Sequence, residues 1–116
     1  MTVLSEKLQR RLEKQVDFRS YKNIFNIDSL EEILTAQIAQ HKSTQPHGNY
    51  ETWRRFDAIA RYYGLLGYDL QNLRGIGEVY GVTGARAQQL VTRGFKKLRH
   101  PSVRSKWLTL EDYPNS

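Results

Sequence analysis

The sequence predicts an all-α protein, a helix-turn-helix domain preceded by an N-terminal helical arm. Three observations lead there. Apolar residues recur at helical spacing through most of the 116 residues, and no segment reads as a strand. A short helix, a glycine-containing turn and a longer helix opening at a threonine follow one another between Leu73 and Arg99, which is the helix-turn-helix pattern. The run Lys42–Asn49, with Ser43, Thr44, Pro46, Gly48 and Asn49, is the one long loop-like stretch. It divides the chain into an arm and loop, 1–48, and the helix-turn-helix domain, 49–116.

Each element has its own justification. Leu4, Leu8, Leu12 and Val16 recur every four residues among Glu6, Lys7, Arg10, Arg11, Glu13 and Lys14, so Thr2–Val16 reads as an amphipathic helix. Its apolar stripe is narrow and packs on the domain or on a second copy, or else frays, because an isolated helix of this length is marginal in water. Asp17–Ile27 carries Phe18, Tyr21, Ile24 and Phe25, large side chains suited to a corner. Ser29-Leu30-Glu31-Glu32 reads as a capping box opening a second helix with Leu30, Ile33, Leu34 and Ile38 on one face. The expected arrangement is a hairpin of these two helices within one chain. Symmetric dimerisation through the arm is the other option.

Trp53, Phe56, Ile59, Ala60 and Tyr63 give a third helix, Tyr50–Tyr63, with Gly64 as its terminal cap. Asn72 caps a fourth, Leu73–Tyr80, with Leu73, Ile76 and Val79 inward. Gly81-Val82 turns the chain. Thr83 caps a fifth helix reaching about Arg99, whose apolar face is Ala87, Leu90, Val91, Gly94, Phe95 and Leu98. Pro101 stops it. Trp107, Leu108 and Leu110 read as a weak helical continuation.

Charge narrows the function. Eighteen Lys and Arg against twelve Asp and Glu give a net charge of +6. Residues 1–48 carry a net +1 and residues 49–116 a net +5. From Val79 to Leu110 there is no acid, while Arg86, Arg93, Lys96, Lys97, Arg99, Arg104 and Lys106 all fall there. Such a block suits a polyanion, with nucleic acid first, or else forms a solvated basic face. The absence of cysteine excludes disulfides, thiolate-zinc sites and thiol catalysis. No apolar run reaches the ~20 residues of a membrane span, and Met1–Arg10 lacks a secretory h-region. The expectation is a cytoplasmic, nucleoid-associated protein with no membrane contact.

The helix-turn-helix reading has a physical basis. Gly77 lets the fourth and fifth helices approach closely, Gly81 permits the turn, and Val82 plugs the space between them. Thr83 caps the fifth helix so that its first residues point outward, toward a major groove. Gln suits adenine edges, and Arg suits guanine edges or phosphates. Double-stranded DNA is therefore the expected partner, with Arg86, Gln88, Gln89, Thr92 and Arg93 at the groove. Arg74, Lys96, Lys97 and Arg99 are the phosphate candidates. Two packed helices without a ligand are the plainer alternative.

Leu73-Arg74-Gly75-Ile76-Gly77-Glu78-Val79-Tyr80-Gly81-Val82-Thr83, followed by Lys97-Leu98-Arg99-His100-Pro101, resembles region 4 of bacterial RNA polymerase sigma factors of the primary type. Tyr63-Gly64-Leu65 is similar to the Phe-Gly-Leu that closes the family's preceding helix. The resemblance covers roughly Tyr50–Leu108. It implies a domain that binds the −35 promoter element through the fifth helix and docks on the flap of the polymerase β subunit.

The departures define the expected specificity. Gly84 and Ala85 stand where the family has the base-reading Arg and Glu. Arg86 and Gln89 match, Gln88 replaces an Arg, and Arg93 corresponds to a Lys. Arg74 and Gly75 replace two acids. Losing two base contacts worth ~1–3 kcal/mol each should abolish the ordinary −35 preference. Gly75 and Gly84 also weaken their helices by about 1 kcal/mol each relative to Ala. Residues 1–48 cannot hold the family's −10-binding domains. If the chain is complete, the resemblance implies a stand-alone regulator or an adaptor docking on RNA polymerase without sequence-specific DNA contact. That objection lapses for a fragment.

Enzyme chemistry finds no support. His41, His47 and His100 are scattered without carboxylates at ligand spacing, so no metal or cofactor is expected. His100 reads as capping carbonyls or touching a phosphate. Glu51 and Asp57, among Arg54, Arg55 and Arg61, read as surface ion pairs one turn apart rather than paired catalytic acids. Gly75-Ile76-Gly77 lies inside a helix and cradles no phosphate. Trp53, Phe56 and Tyr63 read as core rather than a base-stacking platform, and Tyr62 and Tyr68 as exposed.

Overall fold

The computed structural model describes residues 3–43 and 50–113. The chain is mostly helical, as expected, with one small sheet where the sequence predicts no strand. Its elements are α1 (Glu6–Val16), β1 (Tyr21–Phe25), α2 (Ile27–Ser43), α3 (Tyr50–Tyr63), α4 (Leu73–Tyr80), α5 (Gly84–Leu98), α6 (Pro101–Arg104) and β2 (Leu108–Asp112). The expected loop at Lys42–Asn49 is α2 as far as Ser43. From Thr44 on, with Pro46, His47, Gly48 and Asn49, it lies outside the described residues.

Ser5 caps α1, its side chain accepting from the Leu8 amide at 3.3 Å. Leu4, Leu8, Leu12 and Val16 are all buried, so the stripe is covered within the chain. The expected hairpin with α2 is not the closest helix pairing of α1. α1 lies against α5 instead. Arg99 donates to the Gln15 carbonyl at 2.9 Å, closing the C-terminal end of α1. The Arg11 guanidinium sits 5.3 Å from the centroid of the Tyr62 ring. The reason is the segment between the helices. Instead of filling a corner, residues 21–25 run as strand β1, antiparallel to β2.

The register pairs Tyr21 with Asp112, Lys22 with Glu111, Asn23 with Leu110, Ile24 with Thr109 and Phe25 with Leu108. The tail is therefore a strand, not a weak helix. A lone two-stranded ribbon is marginal in water. This one is anchored by Trp107, which stacks on Phe25 with ring centroids 5.8 Å apart. Its indole N–H donates to the Leu98 carbonyl at 3.0 Å. The Asn26 amide donates to the Trp107 carbonyl at 2.8 Å, extending the pairing by one bond.

α2 begins two residues before the expected cap. Asn26, not Ser29, supplies the acceptor, its Oδ1 taking the Ser29 amide at 3.1 Å. Leu30 and Leu34 are buried as α2 packs on α3. α3 and α4 have the predicted bounds, and α5 stops at Leu98, within a residue of expectation. Pro101 does end α5, but by opening α6 at its first position, where a missing N–H costs nothing. One apolar cluster runs from Leu4 through α2, α3 and α5 to Leu108 and includes residues from both sides of position 48. Glu31 of α2 reaches across as well, accepting from the Leu66 amide at 2.8 Å.

Candidate nucleic-acid interface

The surface of interest is built on α4, the turn after it and α5. Asn72 caps α4 through the Gly75 amide at 2.7 Å. Gly81 ends it at φ 69°, in the left-handed region where a side chain is disfavoured. Thr83 caps α5 through the Arg86 amide at 3.1 Å. A Cβ on Gly77 would lie 2.5 Å from the Val82 carbonyl oxygen, so only glycine allows α4 this close to the turn. Gly94 acts likewise against α3: its Cβ would lie 2.6 Å from Ile59 Cδ1. α5 thus lies flat on the core with Ala87, Leu90, Val91, Gly94, Phe95 and Leu98 buried, the face read from the sequence.

The opposite face is exposed. Ala85, Gln88, Gln89, Thr92, Arg93 and Lys96 follow one another along it. Lys97 and, on α4, Arg74 are exposed too. The Arg74 guanidinium is 3.9 Å from Glu78 in a solvent-exposed pair worth little. Val79, expected inward, is half exposed. Arg86 and Arg99 are half-buried. Arg99 is engaged with α1, as described, so at least one of its N–H groups serves the fold rather than a phosphate.

Arg86 and Arg93 share a partner on α3 that lies far from them along the chain. Glu51, on α3, accepts from Arg93 at 2.9 Å, from Arg55 at 3.2 Å and from Arg86. The block that is acid-free along the sequence is therefore not acid-free in space. Arg86 also donates to Gln89 Oε1 at 2.9 Å. Glu51 sits where a phosphate oxygen would suit the same guanidinium groups. The i,i+4 pair with Arg55 was legible, but the two long-range contacts were not.

Asp57 departs furthest from expectation. It is buried, not on the surface. Arg61 donates to it at 2.9 Å, the Tyr68 hydroxyl at 2.6 Å, and the Tyr80 hydroxyl completes the set. Burial first, and then the bond to the carboxylate, push the Tyr68 hydroxyl above the usual tyrosine range and the Tyr80 hydroxyl well above it. Both therefore act as donors. Tyr68 is half-buried here rather than exposed, and Tyr62 is half-buried too. The network ties α3 to Tyr80 at the end of α4, just before the turn that leads into α5. The missed signal was positional: Asp57 lies four residues after Trp53 and three before Ala60, on the apolar stripe itself.

Aromatic residues divide as well. Phe56 and Tyr63 are core. Trp53 is half-buried, with the Lys42 ammonium 4.4 Å from its ring centroid and Tyr80 edge-on at 6.2 Å. His100 caps amides rather than carbonyls. Its Nδ1 accepts from the Ser102 amide at 3.3 Å at the start of α6. His41 lies ring-to-ring with Phe56 at 6.1 Å, and His47 is outside the described residues. Among the described residues no group of three or more His, Asp or Glu could hold a metal ion. No helix among them is long and apolar enough to cross a membrane. No protein-family model and no curated protein sequence matches the chain.

Proposed function

We propose that this chain binds duplex DNA in transcription, through a helix-turn-helix formed by α4 and α5 that resembles sigma region 4, with its −35 specificity altered or weakened. One observation carries the reading. A capped helix, seated on the core by a six-residue apolar face, presents Gln88, Gln89, Thr92, Arg93 and Lys96 in a row to solvent. The helix itself carries no acid. Gln and Thr offer hydrogen bonds to base edges, while Arg74, Lys96 and Lys97 meet phosphates. The protein would act in the cytoplasm at the nucleoid.

A second reading, an adaptor docking on the RNA polymerase β flap without sequence-specific DNA contact, draws on two features. Gly84 and Ala85 offer no base-reading side chain at the helix start, and Glu51 already holds Arg86 and Arg93. A competition assay between a consensus −35 duplex and a scrambled one separates the two. DNA binding with altered specificity predicts binding to both, within about tenfold of each other, or roughly 1.4 kcal/mol. Gly84→Arg with Ala85→Glu should then raise the consensus preference. Gly84 has the space, since the nearest atom to a Cβ there is 3.5 Å away. Binding to neither duplex would favour the adaptor.

Glu51→Gln provides a sharper test of the same face. It removes the charge that competes with phosphate for Arg86 and Arg93 while keeping a hydrogen-bond acceptor. DNA affinity is expected to rise about tenfold at low salt, as up to two further contacts each release counterions. Unchanged affinity in an anisotropy titration would mean that these arginines do not face the duplex.

A further inference from the structure

Beside this face, α2, α3 and α5 enclose a cleft of about 300 Å³, at the small end of the range for ligand sites. Arg55 of α3 and Arg93 and Lys97 of α5 line it, and among the described residues no carboxylate does. Gln37 and Gln40 of α2 add carboxamides. The His41–Phe56 ring pair forms one wall. Of the three cations, Arg55 and Arg93 share the single Glu51 carboxylate, so the cleft retains a positive excess. Arg55 also keeps its buried Nε without an acceptor among the described residues.

We propose that this cleft binds a phosphoryl group, most favourably a multiply charged one such as a pyrophosphate unit. Two guanidinium forks suit paired phosphate oxygens, an ammonium adds a point charge, and carboxamide N–H groups complete the shell. A single carboxylate would leave most of these donors unused. The group can arrive on a small phosphorylated ligand or as a backbone phosphate of nucleic acid, and the two sources are separable. The cleft shares Arg93 and Lys97 with the proposed DNA face but needs no base-reading role for α5, so pyrophosphate binding tests it without a duplex.

The test is a ¹⁵N NMR titration of the intact protein with sodium pyrophosphate and, separately, with a short duplex. The variants are Lys97→Ala and, as a charge-matched control on exposed β1, Lys22→Ala. The expected result is saturable shifts of the Gln37 and Gln40 side-chain amides with pyrophosphate. The midpoint should move at least about fivefold upward in Lys97→Ala and stay put in Lys22→Ala. Resonances away from the cleft report that each variant remains folded. Shifts of the same amides with the duplex alone would assign the phosphoryl group to nucleic acid, and with pyrophosphate alone to a small ligand. No shift of these amides with either probe, or equal weakening by the two substitutions, would overturn the proposal.

Discussion

Asp57→Ala is expected to destabilise the protein by about 3–5 kcal/mol, the usual cost of removing one partner from a buried charged pair. The carboxylate is 3% exposed and serves Arg61, Tyr68 and Tyr80 together. Its loss leaves the Arg61 guanidinium, only 19% exposed, without its counter-charge. It also leaves two hydroxyls without their acceptor. Asp57→Asn keeps an acceptor oxygen and should cost less. Urea unfolding of the two variants checks this through the shift in midpoint. Because Tyr80 closes α4, the Ala variant should also loosen the turn before α5, seen as faster amide exchange at Gly81–Arg86. A loss below about 1 kcal/mol would mean that apolar packing alone sets the position of α4.

Trp107→Ala should cost a similar amount, about 3–5 kcal/mol, as large-to-small changes at buried aromatics do. Trp107 is 1% exposed, stacks on Phe25 and donates to Leu98. It joins the end of α5 to the strand that follows α1. The variant is expected to lose the β1–β2 pairing along with global stability, while α3, α4 and α5 keep their mutual packing. Hydrogen exchange resolved by residue separates these effects. Protection lost equally everywhere would show instead that the ribbon and the helices unfold as one unit.

The elements that the sequence disclosed are those specified by neighbours along the chain. α3, α4 and α5 follow from a 3.6-residue stripe and from caps within three residues, at Asn72 and Thr83. Gly77 was legible because a glycine before a Gly-Val-Thr turn implies a close approach. The sheet was not legible. Tyr21, Ile24 and Phe25 also have helical spacing, and five residues do not distinguish the two periods. What decides them is pairing with residues 108–112, more than eighty positions away. Which helix of the domain α1 meets was hidden for the same reason. The outer face of α5 could be read residue by residue, but Glu51 could not be placed against it, since it meets Arg93 only through the packing of α3 on α5, across 42 positions of sequence.

The most direct test of the DNA reading is the salt dependence of duplex binding by fluorescence anisotropy. With Arg86 and Arg93 held by Glu51, three cations remain for phosphates: Arg74, Lys96 and Lys97. At about 0.9 counterions released per contact, affinity should fall about fortyfold between roughly 50 and 200 mM salt. Replacing Lys96 and Lys97 by Ala should flatten most of that slope. No binding at low salt, or an affinity indifferent to salt, would contradict a DNA-binding role for α5.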